Sequence, residues 1–108
     1  MRLNLSKAPR KIDLGHGVIV TVKPSPTDVI VAAGQDMAST EERGRVPFAR
    51  AVARQAIIAW EGLEGEDGGI LDPTPEAIDA MMDLWPLFAA FEARYVTPAL
   101  VVVTEGNA

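Results

Sequence analysis

His16 is the only histidine, three residues from Asp13. A carboxylate that orients an imidazole makes a general base. The plainer reading is that Gly15-His16-Gly17 forms a hairpin tip, where a polar residue is expected. No Ser lies in a GxSxG turn, so a Ser-His-Asp hydrolase has no support. Glu61, Glu64, Glu66, Asp67, Asp72 and Glu76 cluster in one connection. Calcium would need oxygen ligands at loop positions 1, 3 and 5, Gly at 6 and Glu at 12. A loop starting at Glu64 puts Gly68 at the fifth position and Pro75 at the twelfth, so that pattern fails. The acids read as a solvated loop. A glycosidase would use two of them, but nothing in the spacing selects a pair. The same stretch, GLEGEDGG, is rich in Gly, yet it follows a helix-forming run and its acids repel phosphate. With no Cys in the chain, disulfides, zinc thiolates and thiol catalysis are excluded together. The residues thus specify no catalytic, metal or cofactor site.

Arginine offers a different chemistry. Arg43, Arg50 and Arg54 fall along one side of a helical run, with Arg50 and Arg54 one turn apart. Such a row could meet phosphate or an acidic partner. It also reads as the solvated stripe of a mostly buried helix, pairing with the acidic loop. Trp60 and Trp85 read as core aromatics rather than ligand platforms.

The elements that must position these residues follow from periodicity. Phe48 to Leu63, FARAVARQAIIAWEGL, is the central run. Phe48, Ala49, Val52, Ala53, Ala56, Ile57 and Trp60 keep helical spacing, and Ala51, Ile58 and Ala59 widen the face. The pattern predicts a central helix from about Val46 to Glu61, with Pro47 at its first position and Gly62 as its stop. Upstream, Lys11–Leu14 and Val18–Lys23 flank Gly15-His16-Gly17 and predict a β-hairpin. Ser25 is a plausible N-cap for a helix from Pro26 to about Met37. After the central helix, Leu63 and Ile70-Leu71 could pair across Asp67-Gly68, or the stretch is an ordered loop. Thr74-Pro75-Glu76 is a strong helix start. Ile78, Met81, Met82 and Trp85 then share a face until Pro86 ends or kinks the helix. Leu87, Phe88, Phe91 and Tyr95 share the next face, which Pro98 interrupts. Ala99–Val103 could be helix or strand.

Length and composition set the outer limits. A chain of 108 residues is one domain and can bury a core. Residues 1–9 read as a flexible arm and 104–108 as a frayed tail. The net charge of −5 disfavours nucleic acid and anionic membranes as partners. No signal segment opens the chain, and the apolar run Trp85–Phe91 is too short to span a bilayer. Mean hydropathy is +0.13, high enough in a small domain that some apolar surface is expected to meet a partner.

The order of motifs in ARQAIIAWEGLEGEDGGILDPTPEAIDAMMDLWPLFAAFEARYV resembles the tail assembly chaperones of long-tailed bacteriophages, prophages and gene transfer agents. The matching pieces are Trp60-Glu61-Gly62, Glu66-Asp67-Gly68, Thr74-Pro75-Glu76, Pro86, Phe91 and Tyr95. IDLGHGVIVTVKP resembles the strand pair that opens many such proteins, so the likeness covers most of residues 10 to 98. Ala59 departs from the Gly common there, and the acidic segment is longer and richer in Gly. The resemblance implies a non-enzymatic factor of the bacterial cytoplasm. It would bind the tape measure protein, with the tail-tube protein or a second copy as further partners. A structural tail or head–tail connector component is the alternative, and a small enzyme using the acidic loop a third.

The expected fold is α+β, an N-terminal β-hairpin followed by three to four helices packed around a central one. The expected partner surface is the C-terminal segment, with Tyr95, Leu100, Val101 and Val103, joined by Arg50 and Arg54. There the run Leu100–Val103 must either dock on the core or await another chain.

Overall fold

A computed structural model describes residues 8–106, with side chains described through Val101. The expected arm at 1–9 therefore lies outside the described residues except for Ala8 and Pro9, and so does the end of the expected frayed tail. The fold is α+β, with an early hairpin.

Strands β1 (Arg10–Gly15) and β2 (Val18–Val22) form that hairpin, in register from Arg10 opposite Val22 to Gly15 opposite Val18. Its tip is left-handed throughout: Gly15, His16 and Gly17 have φ of 81°, 55° and 77°. Glycine enters that region without a Cβ clash, and His16 tolerates it as a polar turn residue. The side chain of Asp13 accepts a hydrogen bond from the Gly15 amide at 2.8 Å, which closes the turn. Ile12, Leu14, Val18, Val20 and Val22 alternate along the two strands and are buried, as one core-facing side of a sheet requires.

Helix α1 (Pro26–Thr40) begins on the expected cap, with Ser25 Oγ accepting from the Asp28 amide at 3.4 Å. It runs one turn beyond Met37 and closes on Glu41, itself left-handed at φ 58°.

The central run folds in two ways. Helix α2 (Arg45–Ala56) takes its first half, and Ile57–Glu61 becomes strand β3, antiparallel to β2. The expected helix to Glu61 is therefore corrected. Ile57 and Ile58 are β-branched and Trp60 aromatic, all weak helix formers. A third strand also satisfies the open edge of β2, and a bulge between Thr21 and Val22 fits it to the pleat. Gly62 stops a strand rather than a helix. Its φ is 89°, and a Cβ there would lie 1.9 Å from the Gly17 carbonyl oxygen. Pro47 sits third in α2, not first, still among the amides that lack helical partners.

The sheet order is β1-β2-β3. After β3, Glu64 bridges Ile70 across a short turn in which Asp67 Oδ1 accepts from the Gly69 amide. Helix α3 (Pro75–Met82) starts on Thr74, whose hydroxyl accepts from the Ala77 amide at 3.2 Å. The helix stops at Met82, short of the expected end beside Pro86, and α4 (Trp85–Phe91) begins with that proline in its first turn.

Pro98 does not break the chain's last helix. A π-helical turn (Glu92–Val96) precedes α5 (Thr97–Gly106), and the Thr97 amide donates to Glu92 O, five residues back. Proline offers no amide and crowds the preceding turn, so a widened turn ahead of it lets the helix continue. Residues 99–103, open between helix and strand, are thus helical.

Candidate partner-binding surface

The C-terminal segment divides along its length. Tyr95 was expected on a partner surface, but it is buried in the core at 1% exposure, its ring 5.3 Å from that of Phe91. Among the described residues, its buried hydroxyl has no hydrogen-bond partner. Burial raises the phenol's pKa, against a weaker opposing pull from the charge of Arg10. Val96 and Ala99 are buried too, and α5 packs on α1. Leu100 and Val101 remain 38% and 52% exposed on that helix. One helix thus both docks and leaves apolar side chains outward. The side chain of Val103 lies outside the described residues.

Arg50 and Arg54 are engaged within the chain. Arg54, the more enclosed, donates from Nη1 to Asp79 Oδ1 at 2.7 Å, and from Nη2 and Nε to Asp36 Oδ2 at 3.1 and 3.3 Å. One guanidinium therefore ties α2 to both α1 and α3. Burial pulls its pKa down, but the hydrogen bonds and charges of Asp79 and Asp36 outweigh that and hold it above the ordinary arginine value. Arg50 donates to Asp83 Oδ1 at 2.5 Å, and Arg45 to Glu92 Oε2 at 2.6 Å. The expectation that the row pairs with the acidic loop is corrected: its carboxylates lie on the helices and just past the end of α3. The spacing carried the signal. Arg50 and Arg54 are four apart, as are Asp79 and Asp83, so two helical segments can pair both couples at once.

Arg50 also borders a feature the periodicity did not suggest. A cleft of about 180 Å³ is lined by Val46, Arg50, Met82, Asp83, Trp85 and Phe88. Trp85 was expected in the core, on the face of Ile78, Met81 and Met82. The helix ends before it, and Trp85 is 62% exposed, stacked on Phe88 at 5.6 Å. Leu84 beside it is 54% exposed. The available sign was position: Leu84 caps α4 and Trp85 is its first residue, so neither continues the apolar face of α3.

Trp60 is corrected as well. It is half-buried against the core from strand β3 rather than from a helix, and its Nε1 donates to Leu71 O at 2.6 Å. His16 is exposed at the hairpin tip, and the Asp13 carboxylate is turned to the Gly15 amide. Among the described residues, no group of three or more His, Cys, Asp or Glu is disposed to hold a metal ion. Nor is any helix there long and apolar enough to cross a membrane.

Comparison of the chain with protein-family models, with curated proteins and with solved structures found no match.

Proposed function

We propose that this chain is a non-enzymatic tail assembly chaperone of a phage, prophage or gene transfer agent, acting in the bacterial cytoplasm on the tape measure protein. The order of motifs from Trp60-Glu61-Gly62 to Tyr95 suggests the family. The observation that supports a binding role is the Trp85 cleft. An aromatic ring held open beside Leu84 and Val46, with Arg50 and Asp83 at its rim, suits an apolar anchor projecting from a partner helix. Leu100 and Val101 offer a second apolar strip. The net charge of −5 favours keeping such a complex dissolved while apolar surfaces are covered.

Co-expression with a tape measure protein of a long-tailed phage tests the reading. The wild-type chain is expected to co-purify with it and raise its soluble yield. Trp85→Ser with Leu84→Ser should weaken that association at least about tenfold, as loss of an interface anchor does, without lowering the melting temperature. Failure of the wild-type chain to bind the tape measure protein would refute the proposal. Recovery of the chain from purified particles would point instead to a structural tail component.

A further inference from the structure

We propose that the free edge of β3 is a docking site for an extended, basic peptide segment, which adds as a fourth strand. The inference does not depend on the chaperone reading and involves a different part of the surface.

The two edges of the sheet are treated differently. At β1, Arg10, Lys11 and Asp13 put charge along the strand, and Arg94 donates to the Asp13 carbonyl. Helix α4 and the π-helical turn also pack against β1. Charged side chains and covering elements are the means by which proteins close a sheet edge. At β3, no strand pairs with the outer side among the described residues. The strand reads IIAWE, with no Lys, Arg or Pro. Ile58 is 45% exposed, and Ile70 on the neighbouring loop is 98% exposed. Where the end of β3 meets the loop lies a groove of about 360 Å³, lined by Trp60 and Glu61 of the strand and by Leu63, Glu64, Ile70 and Leu71 of the loop among others. Main-chain groups for affinity and apolar pockets for alternate side chains are what strand addition uses.

Charge selects the occupant. From Gln55 to Ala93 the chain has acids and not one Lys or Arg. Asp79, Asp83 and Glu92 at the helical end of that stretch are matched by Arg54, Arg50 and Arg45. Around the edge strand, Glu61 meets Lys11 only at 3.9 Å, with both side chains well exposed. Glu64, Glu66 and Asp67 lie on the adjoining loop, which no basic residue interrupts. A second copy pairing through the same edge would bring two acidic loops together, and like charges at close range oppose that. A strand alternating apolar residues with Lys or Arg meets both the apolar groove and the acidic surround.

The test uses the full chain and a synthetic nine-residue peptide alternating Val and Lys, with a Val and Glu peptide as control. Binding is read by titration at low and high salt, and its place by amide hydrogen exchange. The Val and Lys peptide is expected to bind, to lose at least tenfold in affinity between 50 and 500 mM salt, roughly as screening predicts, and to slow exchange within Ile57–Glu61. Ile58→Lys should abolish binding while leaving the melting temperature unchanged, and Trp85→Ser should leave binding intact. Equal binding of the acidic peptide would overturn the proposal, as would protection confined to the Trp85 cleft or no binding at all. Slowed exchange at β3 that depends only on protein concentration would also overturn it, with a second copy as the occupant.

Discussion

Two regions of this chain are rich in acid, and they use it in opposite ways. At the junction of α1, α2 and α3, Asp36 and Asp79 converge on Arg54, and Asp83 meets Arg50. Around β3, Glu61, Glu64, Glu66 and Asp67 ring apolar residues that stay exposed. The first arrangement is internal. A partly enclosed guanidinium with three donors placed on two carboxylates fixes how three helices sit together. The second is external, since exposed carboxylates contribute little to stability but set the field a partner meets. Acidic composition thus says nothing about role until the position of the basic residues is known.

Substitutions can break or sharpen that contrast. The largest effect is expected in the hydrophobic core. Phe91→Ala, at a fully buried ring, should cost about 3–5 kcal/mol in denaturant unfolding. A loss under about 1 kcal/mol would mean the helices are not held by this core. Arg54→Ala comes next, at about 2–3 kcal/mol, because two carboxylates lose their shared partner. A double-mutant cycle with Asp79→Asn should give a coupling energy of at least about 0.5 kcal/mol, and strict additivity would show that the bridge does not act as a unit.

Trp60→Phe should cost about 1 kcal/mol by losing the indole donor to Leu71 O. Exchange in the loop near Leu71 should quicken with that loss, and unchanged exchange would show the contact does not hold the loop.

Tyr95→Phe removes a buried hydroxyl that has no partner among the described residues, so it should leave stability unchanged or raise it by up to about 1 kcal/mol at pH 7. The phenol's folded pKa lies above its ordinary 10.0, so the folded state holds the proton more tightly. That contribution is fully present below pH 10 and is lost as pH rises through the folded value. Wild-type stability should therefore fall above about pH 10, and the Phe variant should lack this part of the decline. Identical alkaline profiles would contradict the burial of the hydroxyl. The smallest effect belongs to the open region. Ile70→Lys should change stability by less than about 0.5 kcal/mol, and a larger loss would mean that Ile70 packs on the chain.

The local devices were legible in the sequence. Ser25 and Thr74 cap their helices, Gly-His-Gly turns the hairpin, and Pro86 stands in the first turn of α4, because each acts on backbone groups within a few residues. The apolar face of Leu87, Phe88, Phe91 and Tyr95 was also readable from spacing, and all four side chains are buried. Periodicity failed where two structures bury the same residues. Ile57 to Trp60 continue the helical face of α2, yet they pair with β2, whose open edge lies far away in sequence. Likewise no local rule distinguishes a solvated arginine stripe from a bridge between helices. Arg54 became internal only when α1 and α3 brought Asp36 and Asp79 to the same side of α2. The sequence by itself determined caps, turns and helical faces, since these depend on neighbours along the chain. The tertiary structure decided the third strand, the exposure of Trp85 and the engagement of the arginines. Each of these depends on which distant backbone edge, carboxylate or apolar face is brought near.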